Sequence, residues 1–482
     1  MPSLTLSPIL LASVALTALP VLAVTVHPRG DSVDGTREAQ SAVDRCPSGG
    51  SVIFAPGTYA VSGLHLKGGC TYRGEKGKSI LKLTAKDRFI FDFSERSDIR
   101  IEGLVFDGNG LGGGLQARLN GPVRNIHVVD CAFRNVSNKA TYPANLAIYS
   151  SWAFLDSEIA NNTFENIAGG IMLTTVQHVN ISGNTFRDVT LSDAIFIAPN
   201  PVPFPSGERI VIANNTGSGI AKMGLEIFRP DPPNGSNMTE PLIENNSFSR
   251  FTAANHEAMG LSITHGDGAV VRDNRIDNTG GVRQDNGIGI EVIVRNARVT
   301  GNSIANGMGF GIVVQGTPGA TLSSNHISGM WKDGILFACD NGRNRCDSSG
   351  SRVEGNTIEN ARLNGIRLDN NWSNSTILSN TITRQAGYWP DDGTIAFTGI
   401  RTCPARQAVT VRGNTVSQTG RTPPSGFAFH GIELHPGLPA ATVADNVIRS
   451  LSPKPLGEGI SGGNSAGWAI DRNQFVNLVK ER

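Results

Sequence analysis

Two groups of ionisable residues recur beside one short phrase, Gly-Ile-x-apolar, and each has the make-up of an acid–base site. The first spans three successive copies. Lys222 and Arg229 flank Gly224-Leu225-Glu226-Ile227, His265 closes Gly260-Leu261-Ser262-Ile263, and Asp285-Asn286 leads into Gly289-Ile290-Glu291. Glu226 and Glu291 hold the same place in their phrases, with Ser262 in the copy between. If the phrases are neighbouring parallel strands, two strand spacings separate the α-carbons of the glutamates by roughly 9–10 Å. That is near the upper end of the roughly 6.5–9.5 Å between the carboxyl groups of an inverting glycosidase, where one acid protonates the leaving oxygen and the other activates water. Lys222, Arg229 and His265 offer a different chemistry, the base and the carboxylate-neutralising cation of a β-elimination. Against both stands the plain reading that an exterior glutamate on a strand is simply solvated.

The second group is C-terminal: Asp333, Arg367 with Asp369, Arg401, then His430, Glu433 and His435. Trp331, Trp372, Tyr388 and Trp389 lie in adjoining loops and are candidates for stacking on sugar rings. Asp333, Arg367, Asp369, Arg401, Trp331, Trp372 and Trp389 are therefore expected to bind substrate. The competing reading, a ladder of Arg–carboxylate pairs joining neighbouring coils, outweighs catalysis here. Pro-rich stretches 199–206 and 230–233 are placed to wall the first group.

Both groups need a scaffold that repeats. From about residue 95 a β-branched run, a small-Asn-x-apolar step, a variable stretch and the Gly-Ile-x-apolar phrase follow one another again and again. The Asn falls at Asn162, Asn184, Asn215, Asn246, Asn274, Asn302, Asn325, Asn356, Asn380, Asn414, Asn446 and Asn473, at intervals of 22 to 34 residues. Periods of this size mean a solenoid or a propeller, and the two or three short runs per unit cannot form a blade alone. Apolar residues alternate with a freely varying one, the period-2 mark of a strand with one buried face. Stacked, the apolar positions make an interior column and the variable ones an exterior ladder. The Asn row is read as structural, because stacked amides satisfy each other and Asn tolerates the left-handed backbone of a turn.

Composition agrees with such a scaffold. Of 482 residues 57 are Gly and 17% are charged, against roughly 25% charged in an average globular protein. The 42 Lys+Arg and 41 Asp+Glu leave a net charge of +1, without the basic excess of a nucleic-acid-coating protein. Ile9 to about Ala23 is apolar but short for a membrane span. It ends in Val21-Leu22-Ala23 and reads as a signal peptide over 1–23, although no Lys or Arg precedes it. Export suits two expected disulfides, Cys46–Cys70 and Cys339–Cys346, with Cys131 a buried thiol and Cys403 lacking an obvious partner. Nine Asn-x-Ser/Thr sequons are chemically competent for glycosylation. No Cys/His cluster has zinc-site spacing, so no metal site is expected.

With these repeats the chain resembles the pectin-lyase-like superfamily. The resemblance rests on Gly-Asn-Thr at 183–185, 355–357 and 413–415, and on an N-terminal run: Gly30 to Thr36, an amphipathic helix from Arg37 to Asp44, then Gly49 to Phe54, Pro56 to Tyr59 and Thr71 to Gly74. It implies an all-β fold, a right-handed parallel β-helix of about 13 coils with a short N-terminal capping helix. The cap and first coils would occupy 24–94 and the repeats 95–482, in one continuous domain. The Asn ladder would lie between the second and third sheets, and a cleft would run along the first sheet, made by the Gly-Ile-x-apolar strands. Lys332-Asp333-Gly334-Ile335 is similar to a polygalacturonase strand, but the motifs that should follow it are absent, as is the Asp-Pro-His of mannuronan epimerases.

The expected function is a secreted enzyme, extracellular or periplasmic, that hydrolyses a polysaccharide with Glu226 and Glu291 and no organic cofactor. The alternative is a polysaccharide lyase or C5-epimerase acting on a uronate glycan, with Ca2+ in the lyase case. The third is a non-catalytic surface or adhesin solenoid. The expected partner is a polysaccharide, with no nucleic acid or membrane, and the chain is expected as a monomer or a side-by-side homotrimer.

Overall fold

In a computed structural model of the chain the described residues are 22–118, 121–198, 209–228, 240–253, 258–340, 345–369, 371–385, 397–402, 408–419, 429–452, 455, 457–462 and 467–479. Each strand pairs in parallel with its equivalents in the coils before and after it, so the hydrogen-bonded partners lie 20 to 40 residues away in the chain. The result is a parallel β-helix with three faces. The first sheet holds the Gly-Ile-x-apolar strands, among them Met223–Ile227, Met259–Asp267, Gln284–Arg295 and Met308–Gln315. The second holds the strands that approach the Asn, such as Ile210–Ala213 and Leu242–Glu244. The third holds those that leave it, such as Thr216–Ile220 and Ser247–Phe251. In Leu146–Ala160 and Gly169–Ser182 the chain bends from the first sheet into the second without leaving the strand.

Among the described residues the third sheet is an open stack of 17 strands, from Gly30–Asp34 to Gln474–Val476. It extends beyond the roughly 13 coils counted on the Asn repeat, because the coils ahead of Asn162 carry no ladder Asn. The helix spans Thr36–Asp44 and buries Ala39, Ala42 and Val43. That i, i+3, i+4 spacing is the stripe a helix needs to cover one open end of a solenoid.

The interior is a set of columns. Leu225, Leu261, Ile290, Ile312, Ile335 and Ile366 follow one another in register on the first sheet, all fully buried. On the third sheet Phe106, Phe133, Phe164 and Phe186 stack with ring centroids 4.6 to 4.9 Å apart and planes within 10°. Each such side chain stabilises the fold by roughly 1.5–3 kcal/mol relative to exposure. The next coil has Gly217 at that position. A Cβ there would come within 2.7 Å of the Phe248 ring, so Phe248 occupies the space that Gly217 leaves.

The Asn row forms as expected, from Asn162 to Asn473. Each Nδ2 from Asn162 to Asn446 donates to the Oδ1 of the next Asn at 2.8 to 3.0 Å, and each, Asn473 included, to a main-chain carbonyl of an earlier coil. The left-handed backbone, however, is not at the ladder residue. It falls one residue earlier, at Asn161, Gly183, Asn214, Asn245, Asp273, Gly301, Ser324, Gly355, Ser379, Gly413, Asp445 and Arg472, all with φ between 50° and 66°. The ladder Asn is thus selected for its amide, and its predecessor for tolerance of positive φ. Cys131 holds the equivalent place in the coil before Asn162, its N–H donating to Asn162 Oδ1 at 2.9 Å. It is a free, buried thiol whose pKa burial pushes up to about 12.

Both expected disulfides are present, Cys46–Cys70 and Cys339–Cys346. Cys403 and the expected signal segment up to residue 21 lie outside the described residues. Among the described residues no helix is long and apolar enough to cross a membrane.

Candidate active site on the outer face of the first sheet

The outward positions of the first sheet form one column along the helix axis. In chain order it reads Tyr149, Met172, Phe196, Glu226, Ser262, Glu291, Val313, Leu336, Arg367, Arg401 and Glu433. Glu226 and Glu291 therefore do share a column, two rungs apart, with Ser262 on the rung between them.

Three carboxylates and one ammonium gather there. Lys222 Nζ lies 3.3 Å from Glu226 Oε2 and 3.7 Å from Asp193 Oδ2. Asp193 Oδ1 also accepts the main-chain N–H of Met223 at 3.0 Å. Burial raises the Asp193 pKa to about 7, with the ammonium of Lys222 opposing and the charge of Glu226 reinforcing the shift. Burial alone would lower the Lys222 pKa, but Asp193 and Glu226 reverse that and hold it above its usual value. Glu291 is 7% exposed. Its Oε2 accepts from Ser262 Oγ at 2.7 Å and its Oε1 from Gln315 Nε2 at 2.6 Å. Burial pushes its pKa up; the Ser262 hydrogen bond opposes this, and Glu226 and Asp340 add to it.

Asp193, Ser262 and Gln315 did not stand out as functional residues in the sequence. The coil of Asp193 reads Asp193-Ala194-Ile195-Phe196, without the Gly that marks its neighbours. The signal available was register: Asp193 stands three residues before Phe196, as Met223 does before Glu226. Arg229, the side chain of His265, and both Pro-rich stretches lie outside the described residues.

The C-terminal group comes together on the same face in another style. Asp333 is fully buried and accepts from Asn364 Nδ2 at 2.5 Å, with Arg367 Nη1 at 3.6 Å. Burial raises its pKa, against the Asn364 hydrogen bond and the Arg367 charge. Arg367 also pairs with Asp369, Arg401 with Glu433 at 3.7 Å, and His430 with Glu458 at 3.3 Å. His435 Nδ1 accepts the N–H of Gly437. Trp372 is a correction. It is 1% exposed and packed in the core, so it offers no ring to a sugar. The aromatic in a polar loop is a plug for the interior. Trp331 has the Arg283 guanidinium 3.3 Å over its ring centroid. Tyr388 and Trp389 lie outside the described residues. Among the described residues no group of three or more His, Cys, Asp or Glu is placed to hold a metal ion.

The family described as "Right handed beta helix region" matches residues 233–416. The fold is a right-handed parallel β-helix. No curated protein matches the chain. Similar solved structures include a PL6 alginate lyase in complex with a trisaccharide, 15% identical over 75% of this chain and 85% of that one, with a TM-score of 0.48. A mannuronic acid-specific polysaccharide family 6 lyase from human gut microbiota is 11% identical over 82% of this β-helix and 86% of that chain, at 0.49. An E. coli bacteriophage tailspike protein in complex with a pentasaccharide is 12% identical over 93% and 76%, at 0.41.

Proposed function

We propose that this β-helix is a secreted carbohydrate-active enzyme that hydrolyses glycosidic bonds of an extracellular polysaccharide on the outer face of its first sheet. One observation carries the reading: Glu226 and Glu291 stand on one outward column two rungs apart, in unlike surroundings. Burial raises the pKa of Glu291, which suits a general acid. Glu226, held by the Lys222 ammonium at 3.3 Å, is then the general base. Glu291 donates its proton to the leaving oxygen while the Glu226 carboxylate takes one from the water attacking the anomeric carbon. The Ser262 hydroxyl can accept as well as donate, so it holds Glu291 in either protonation state. Gln315 fixes the other oxygen, and Asp193 and Lys222 orient Glu226. The two disulfides support export, since such bonds persist in oxidising compartments.

Lys222 favours a second reading, β-elimination or epimerisation of a uronate glycan, in which its charge neutralises the substrate carboxylate. The same ion pairs argue against its being the base, because its proton is held more tightly than usual. Calcium fits this trio poorly, for the Lys222 ammonium already lies within 4 Å of both the Asp193 and the Glu226 carboxylates that would ligate it.

The test is a panel of polysaccharides followed by reducing ends and by the ultraviolet absorbance of unsaturated uronates. Reducing ends without absorbance are expected. Absorbance would move the assignment to a lyase, and full activity of both Glu226→Gln and Glu291→Gln would overturn the site.

A further inference from the structure

Among the described residues two aromatic side chains are both large and exposed, Tyr142 at 58% and Phe228 at 37%. Both lie beside the column that carries the acids. Phe228 stands two residues past Glu226. Tyr142 belongs to the segment that leads into the first-sheet strand Leu146–Ala160. Its ring meets that of Tyr149 edge-on, with centroids 6.0 Å apart, and its hydroxyl lies 3.4 Å from the sulfur of Met172. Tyr149 stacks in turn on Phe89, and both pack with Leu146, Ala140, Ala144 and Met172.

The ring of Tyr142 is thus exposed but not loose. Ala140 and Ala144 on either side of it are buried, and the N–H of Thr141 donates to Asp87 at 2.6 Å. A firmly held aromatic with an open face costs apolar exposure and contributes little to the core, and such a ring suits the apolar faces of sugar rings.

Its position relative to the acids is fixed by register. From Tyr149 through Met172 and Phe196 to Glu226 is three rungs, about 14 Å along the axis. One rung is close to the advance of a pyranose unit in an extended glycan. A chain lying along the column with a bond at Glu226 would therefore bring a sugar ring to the Tyr142 platform a few units away.

We propose that Tyr142, backed by Tyr149 and Met172, is a stacking subsite for a sugar ring of the polymeric substrate, on the N-terminal side of the acid pair. The proposal rests on the hydrolytic reading for its occupant. It adds that the glycan runs parallel to the helix axis and that recognition depends on a stretch of polymer rather than on the cleaved linkage alone. Removal of a well-packed aromatic contact weakens binding by roughly tenfold.

Two measurements test it separately from the chemistry. In the first, kcat/KM is measured for oligosaccharides of increasing length from whichever polymer is cleaved. Wild type is expected to improve as the substrate reaches the platform. Tyr142→Ala should lose that gain, roughly tenfold and mainly in KM, while Tyr142→Phe, which keeps the ring, should retain it. A loss equal at every length, or none, overturns the subsite.

The second is retardation in native gels cast with alginate, polygalacturonate, glucuronoxylan or hyaluronan, with thermal unfolding to check that each variant is folded. Retardation that Glu291→Gln keeps and Tyr142→Ala loses supports the subsite even if no bond is cut. Equal retardation of Tyr142→Ala and wild type, or no retardation in any gel, overturns it whatever the catalytic result.

Discussion

The outer face of the first sheet carries two charged regions that differ in how their charges are matched. Around Glu226, Asp193 and Glu226 share the ammonium of Lys222, while the third carboxylate, Glu291, is held by the uncharged Ser262 and Gln315. Around Arg367, each basic side chain faces an acid: Arg367 with Asp333 and Asp369, Arg401 with Glu433, His430 with Glu458. A matched ladder needs no explanation beyond the joining of adjacent coils. A surplus of acid on a buried strand raises pKa values and costs stability, a cost that chemistry can justify. The two regions were nearly indistinguishable as lists of residue types. Register separates them: only Ser262 stands between Glu226 and Glu291 on the column, whereas Arg367 and Arg401 are adjacent and lead to Glu433.

The most severe way to break the contrast is at the acid pair. Glu291→Gln, which keeps shape and hydrogen bonds, should lower kcat by roughly 10²–10⁴-fold with little change in thermal unfolding. Arg401→Ala measured beside it should keep turnover near wild type. Equal losses in the two variants would erase the distinction.

A second variant attacks the scaffold that holds both regions. Asn325→Ala removes the bonds to Asn356 and the Val299 carbonyl, and the acceptor used by Asn302. Leaving those buried groups unmet should cost roughly 3 kcal/mol, read by denaturant unfolding.

The pH dependence of stability sharpens the contrast further. A carboxyl whose folded pKa is raised binds more protons folded than unfolded, so its contribution is present at low pH and is lost as pH rises through the folded value. Asp193, raised to about 7, should make stability fall between roughly pH 4 and 7. Asp193→Asn should flatten that fall in a series of melting curves. The smallest expected effect is the stability loss of Arg401→Ala. Its pair with Glu433 is half exposed and 3.7 Å long, so less than about 1 kcal/mol is at stake.

Much of the fold was legible because a solenoid writes its geometry once per coil. Each Gly-Ile-x-apolar phrase became a first-sheet strand, and each ladder Asn found its neighbour. What escaped depended on facts that a single coil does not state. The left-handed residue is occupied by Asn, Gly, Asp, Ser and even Arg472, so no residue type announces it. Trp372 reads as a loop aromatic, and only the stacking of coils turns it into core. Tyr142 and Asp193 lie in coils whose phrase is degenerate, and alignment with the next rung gives them their place. The acids were found because their coils keep the motif.

The stacking also makes distance along this face a digital quantity. Side chains on the column can be one, two or three rungs apart, and nothing between, because every rung is locked to the next by main-chain hydrogen bonds and by an amide in the ladder. The coil of Ser262 is then a spacer as much as a hydrogen-bond donor. Deleting it would bring the glutamates to about 5 Å at their α-carbons, and duplicating it would part them to about 14 Å. In such a rod, gain or loss of a single coil is a discrete change of chemistry, while point changes at the turns only adjust it.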